Sequence, residues 1–256
     1  MSADRRVLVH QDAAGLAGAV AARFITKVID LLDEKPEVHI ALTGGGVGTG
    51  ILRAIAESGA RDSIDWSRVH VWWGDERWVP RGDSDRNDTG AFEALLSHVA
   101  VRDDRVHTFP ASDDGMDLDE GADAYASTLR DAASDGADFP VFDILFLGVG
   151  PDGHIASLFP DSAGVETTGR SVIAVRESPK PPSERLSLTF DVINNADRIW
   201  LCLAGADKAS ALGLALAGAG PSSVPASGAR GRKRTVFFVD SAAAAEVPED
   251  LISSEY

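Results

Sequence analysis

Val38-His39-Ile40-Ala41-Leu42-Thr43-Gly44-Gly45-Gly46-Val47-Gly48-Thr49-Gly50 turns a short apolar run into a helix through a string of glycines. Val38 to Leu42 is apolar at nearly every position, the pattern of a strand buried on both faces. From Val47 to Glu57 the apolar residues return with helical period. A strand that enters a helix this abruptly is half of a β-α-β unit.

On both sides of this segment the alternation repeats. Val7 to His10, Val69 to Trp73, Phe142 to Leu147, Ile199 to Leu203 and Val236 to Val239 are further strand-like runs. Ala13 to Glu34, Thr89 to Leu96, Leu118 to Ala133 and Lys208 to Leu216 have helical period, and many open on Asp, Thr or Asn and close near Gly or Pro. The order predicts an α/β fold, a mainly parallel sheet with helices on both faces in a Rossmann-like three-layer sandwich. Such sheets take ligands beyond the carboxyl ends of their strands. The Pro- and Gly-rich stretches Ser178 to Ser183 and Gly218 to Gly231 are short enough to be loops, so residues 1–256 are expected to form a single catalytic domain.

Composition narrows the function. Lys and Arg number 24 against 40 Asp and Glu, a net charge of −16, which argues against nucleic acid as a partner because phosphate backbones are held by basic clusters. No apolar run approaches the roughly 18 residues of a membrane span, and the start lacks a signal-peptide core. A cytoplasmic monomer or small homo-oligomer with no membrane partner is expected. The single cysteine, Cys202, sits in a strand-like run and reads as core. The acidic stretch from Arg102 to Pro140 lacks calcium-loop spacing and reads as a solvated helix face and its loop.

Three strand ends hold the chemistry. At the first, Thr43, Gly44, Gly45 and Gly46 let backbone N–H groups approach an anion at a helix N-terminus, which suits a phosphate. No Gly-Lys-Ser/Thr follows, so this is not a Walker loop. At the second, Trp73-Gly74 leads into Asp75, Glu76 and Arg77, three charges at the sheet edge; the tryptophans read as packing. At the third, Gly148-Val149-Gly150-Pro151-Asp152-Gly153-His154 presents a carboxylate two residues from an imidazole, the equipment of a general base. His10, His39, His70, His98 and His107 have no such setting and read as structural.

Taken in order, Thr43-Gly44-Gly45, Trp73-Gly74-Asp75-Glu76-Arg77, the Gly148 to Pro160 segment and Ala204-Gly205-Ala206-Asp207-Lys208 closely resemble the 6-phosphogluconolactonase family of the pentose phosphate pathway. Val224-Pro225-Ala226-Ser227 and the strand Thr235 to Asp240 extend the likeness over nearly the whole chain. The resemblance implies a fold of the sugar-phosphate isomerase/deaminase type. Related glucosamine-6-phosphate deaminases follow their Asp-Gly-His turn with an Asn-Glu pair, whereas Ser157-Leu158-Phe159-Pro160 follows here, as in lactonases.

The activity so implied is hydrolysis of 6-phospho-D-glucono-1,5-lactone to 6-phospho-D-gluconate with no metal or organic cofactor. By similarity His154 is the base, Asp152 orients it, and Arg77 or backbone amides of the Gly148 to Gly153 turn receive the oxyanion. Asp75 matches the enolising base of the deaminase relatives and in a lactonase holds a sugar hydroxyl or positions Arg77. Lys208 matches the family's phosphate-binding lysine and Arg185 a family arginine. Asn87 matches a family asparagine, although Arg86 stands before it where relatives tend to have Ser. A sugar-phosphate deaminase or isomerase and a non-catalytic sugar-phosphate sensor are the alternatives. The missing Asn-Glu pair counts against the first, and the intact Asp152 and His154 pair against the second.

Overall fold

The computed structural model describes residues 4–134 and 136–252; Asp135 of the acidic stretch and the termini of the predicted 1–256 domain lie outside the described residues. The strands are β1 (Asp4–His10), β2 (Val38–Leu42), β3 (Val69–Trp73), β4 (Asp75–Arg77), β5 (Ile144–Gly148), β6 (Val172–Val175), β7 (Arg185–Leu188), β8 (Arg198–Leu203) and β9 (Arg234–Asp240). The helices are α1 (Ala13–Glu34), α2 (Gly45–Glu57), α3 (Asn87–Ala94), α4 (Leu118–Asp131), α5 (Ala163–Glu166), α6 (Phe190–Ile193) and α7 (Ala209–Leu216).

Six strands form one parallel sheet in the order β1-β9-β8-β5-β2-β3. Ile144 to Leu147 and Ile199 to Leu203 are buried at every position. Side chains of a strand alternate between faces, so unbroken burial means that both faces are covered, as expected of a three-layer α/β protein. Helix α1 supplies part of that cover through Leu16, Val20, Phe24, Val28, Leu31 and Leu32, each buried. A side chain of this size contributes on the order of 2 kcal/mol when fully buried. Asp12 starts the helix by accepting the Gly15 N–H at 2.8 Å. Cys202 lies in the core, where burial pushes its thiol pKa up.

The predicted parallel strands are all present, but a second sheet was not foreseen. Strands β4, β7 and β6 pair antiparallel in that order, with Asp75 opposite Ser187 and Arg77 opposite Arg185. These strands have only three or four residues, too few for a periodic signal. Gly74 joins the two sheets: its N–H donates to the Leu42 carbonyl at 3.0 Å and its carbonyl accepts from Leu188 N at 2.9 Å.

Along one face of β2 and β3, aromatic rings stack. His39 and His70 stand side by side in register with ring centroids 4.5 Å apart, and Trp72 stacks on His107 at 3.8 Å while donating from Nε1 to His39 Nδ1 at 3.2 Å. Burial, reinforced by the neighbouring imidazoles, holds His39 down at about 3 and His107 at about 4. Below the ordinary imidazole value the unfolded chain binds protons that the folded chain refuses, so stability is lost as the pH falls. The urea midpoint is expected to drop between about pH 6.5 and pH 4, with His39 contributing up to about 1.4 kcal/mol per pH unit. The same midpoint measured for His39→Asn should fall less steeply; an identical slope would show that these rings do not govern acid sensitivity.

Candidate active site

The chain passes from β2 outward to β3 on one side and from β5 through β8 to β9 on the other, so the order reverses between β2 and β5. Loops diverge at such a point and leave a crevice at the carboxyl ends of the strands. A cleft of about 280 Å³ opens there, lined by Thr43, Gly44 and Gly45 after β2, Asp75 and Arg77 on β4, Gly148 to Gly150 at the end of β5, and His154. Asn87, Lys180, Arg185 and Lys208 complete its polar wall.

His154 is brought back over the end of β5 by the turn that precedes it. Gly150 N donates to the His154 carbonyl at 3.0 Å and Gly153 N to the Gly150 carbonyl at 2.9 Å, while Gly153 takes a φ of 82° that suits glycine. This fold-back sets His154 Nδ1 2.5 Å from Asp152 Oδ1. An ionised carboxylate only accepts, which assigns the imidazole proton to Nδ1 and leaves Nε2 with its lone pair. Burial holds the His154 pKa below the ordinary imidazole value, although Asp152 and Asp75 pull the other way. Burial also opposes ionisation of Asp152, but its hydrogen bond and attraction to His154, with the charge of Lys180, outweigh that cost and hold its carboxyl below the usual range.

Beside this pair lies a buried polar network. Asp75 accepts from Ser157 Oγ at 2.7 Å on one oxygen and from Asn87 Nδ2 at 3.3 Å on the other. Glu76, almost wholly buried, accepts the N–H groups of Arg77 (2.8 Å), Asn87 (2.7 Å) and Asp88 (2.9 Å), and so holds two cleft residues through their backbones. Burial, together with the charge of Asp88, raises its pKa to about 7 against the opposing pull of Arg86. Arg86 is itself buried, paired with both oxygens of Asp88 at 2.9 and 2.7 Å and donating to the Phe109 carbonyl at 2.8 Å. The residue that departs from the family pattern is therefore an anchor for the start of α3.

The other wall is made for an anion. Helix α2 begins at Gly45 with no side-chain cap, so its first N–H groups are open toward the loop. Thr43 Oγ1 accepts from Gly148 N at 3.2 Å across the crevice. A Cβ on Gly44 would stand 1.8 Å from Asn87 Oδ1, which is why this position excludes a side chain. Lys208 lies at the N-cap of α7 and pairs with the exposed Asp207 at 2.9 Å. Arg185 is buried, not solvated: its Nε and Nη2 bind the carbonyls of Pro182, Pro181 and Lys180 at 3.0 to 3.1 Å.

Most of the predicted site residues therefore meet. Gly46 does not: it faces a separate groove with Ala13, Val47 and Arg53. Asp152 stands behind His154 rather than in the cleft wall. Of the oxyanion candidates in the Gly148 to Gly153 turn, the amides of Gly148, Gly150 and Gly153 are already spent on Thr43, His154 and Gly150, while Val149 remains on the cleft wall. Arg77 Nε, in contrast, is buried without a partner among the described residues. Glu76 was read only as one of three charges at the sheet edge and given no role of its own, and Lys180 was missed because it fell in a Pro-rich stretch read only as a loop. Donor atoms of Glu37, His39 and His70 lie within 4.8 Å of one another. The two imidazole planes are only 13° apart and stacked, so their lone pairs do not converge on a common ion.

Cations gathered at the switch point of a parallel sheet, in a chain of net charge −16, put this molecule among the α/β proteins that hold small anionic metabolites. Residues 11–238 match the family model of glucosamine-6-phosphate isomerases/6-phosphogluconolactonase, and the chain belongs to that family. It is 50% identical over 255 residues to the 6-phosphogluconolactonase of Streptomyces coelicolor, covering 98% of each chain. Identity to the Mycobacterium leprae 6-phosphogluconolactonase is 42% over 244 residues, covering 94% of this chain and 98% of that one. The crystal structure of 6-phosphogluconolactonase from Thermotoga maritima superposes with a TM-score of 0.81 at 27% identity, over 93% of this chain and 100% of that chain. Among the described residues no helix is long and apolar enough to cross a membrane.

Proposed function

We propose that this chain hydrolyses 6-phospho-D-glucono-1,5-lactone to 6-phospho-D-gluconate, the reaction named in its relatives, with His154 as general base. The observation that carries this reading is the His154–Asp152 pair, whose proton is directed to the carboxylate so that Nε2 is free to accept another. Nε2 takes a proton from water as the water oxygen bonds to the lactone carbonyl carbon. Charge that develops on the carbonyl oxygen is met by Arg77. The intermediate collapses by breaking the bond from C1 to the ring oxygen, which recovers the proton from the imidazolium. The new carboxyl group ionises and releases one proton to solvent.

Asp152 keeps the ring oriented and stabilises its transient charge. Asp75 has both oxygens engaged with Ser157 and Asn87, an arrangement suited to positioning rather than to taking a proton from carbon. Lys208, Arg185, Thr43 and the amides of Gly44 and Gly45 hold the 6-phosphate away from the reacting carbon. Lys208→Ala should then raise KM by about tenfold to a hundredfold while kcat stays within a few-fold, since a charge-assisted bond to a non-reacting group is lost. A fall in kcat alone, measured by steady-state kinetics, would remove Lys208 from phosphate binding.

The reading itself is tested by adding the protein to freshly generated 6-phosphogluconolactone and following base uptake at constant pH against the spontaneous rate. Acceleration is expected. A folded preparation that binds 6-phosphogluconate yet gives no acceleration would instead be a sugar-phosphate sensor.

A further inference from the structure

Lys180 approaches the proton-transfer pair from the loop between β6 and β7, with Nζ 3.3 Å from His154 Nδ1 and 3.6 Å from Asp152 Oδ1. Its backbone is fixed there. The Lys180 carbonyl accepts from Arg185 Nη2 at 3.0 Å and from Ser178 Oγ at 2.9 Å. Because Nδ1 spends its proton on Asp152, the ammonium, paired with that carboxylate, faces the nitrogen as a neighbouring charge rather than as a hydrogen-bond donor.

We propose that Lys180 is a positioning residue of the hydrolysis: its ammonium, set against both members of the pair, disfavours a second proton on the imidazole and keeps Nε2 open as the base. The inference rests on the lactonase reading of the cleft. At these distances a protonated ring meets a like charge, whereas ionised Asp152 meets an opposite one, so neutral His154 with anionic Asp152 is the favoured pairing. The same repulsion makes the imidazolium formed during water attack a better proton donor to the departing ring oxygen. The charges acting on His154 are Asp152 from its own turn, Asp75 from β4 and Lys180 from the loop; Arg77, Arg185 and Lys208 line the same cleft. The direction agrees: Lys180 lowers the proton affinity of His154 and the two carboxylates raise it.

The test compares wild type with Lys180→Met and Lys180→Arg by nitrogen NMR titration of the His154 ring and by pH profiles of kcat and KM. In the Met variant His154 should titrate at higher pH than in wild type. Its kcat/KM should fall roughly threefold to tenfold further at pH 5.5 than at pH 8, and the Arg variant should restore the wild-type profile. An unchanged His154 titration in a folded Met variant overturns the proposal. A rise in KM with an unmoved acid limb would assign Lys180 to the substrate phosphate instead. The NMR comparison needs no turnover, so it decides the role of Lys180 even if wild type fails to accelerate lactone hydrolysis.

Discussion

Replacement of His154 by alanine is expected to lower kcat by roughly two to four decades, the range typical when a general acid–base group is lost. The expectation is this large because the proposed mechanism uses one imidazole for both halves of the reaction. In that mechanism Nε2 takes the proton of the attacking water and later returns it to the ring oxygen, while Nδ1 is committed to Asp152 at 2.5 Å. Groups assigned to the phosphate, Lys208 and Arg185, lie on other elements and stay in place, so KM should change little. Base uptake with fresh lactone, corrected for spontaneous hydrolysis, measures the loss directly. A variant within tenfold of wild type would mean that His154 is not the base.

Gly150→Ala is expected to come close to this loss without touching an ionisable group. A Cβ at position 150 would stand 2.0 Å from His154 Nδ1, 2.2 Å from its Cε1 and 2.3 Å from Asp152 Oδ1, all far inside contact distance. Gly150 is not among the glycines with positive φ, so its backbone accepts alanine and the fold should survive. What cannot survive is the dyad: the ring and the carboxylate must separate to admit the methyl group. Displacing a catalytic group by about an ångström typically costs on the order of a hundredfold, and kcat should fall by at least that much. The diagnostic combination is a melting temperature near wild type with collapsed turnover. Near-normal kcat would show that the His154–Asp152 contact is dispensable.

Much of this site was legible in the residue order. Gly-rich turns after apolar runs marked Thr43 to Gly45 and Gly148 to Gly153, and the Asp-Gly-His order marked the dyad, because the chemistry and its supporting turn are contiguous in the chain. The setting of Arg185 was not legible, for the opposite reason. Its surroundings are the carbonyls of its own Pro-rich loop and a three-residue partner strand, β4, that no periodicity betrays. Arg86 looked like a break in the family pattern, yet its charge is matched by Asp88 two residues on and by Glu76 ten residues before, at 2.7 and 4.0 Å. Gly46 lies one residue inside α2, where its exposed face lines a separate groove rather than the cleft wall.

Sequence alone determined the α/β class, the six parallel strands and the reactive turn, since each follows from local periodicity or from a few contiguous residues. Only the tertiary structure decided which strands are neighbours, that β4 and β7 pair to bring Arg77 opposite Arg185, and that Lys180 stands against the His154–Asp152 pair. Those facts join residues from 26 to more than 100 positions apart. No one-dimensional pattern encodes such pairings, because they are selected by the packing of both sheet faces and by the need to satisfy buried charge.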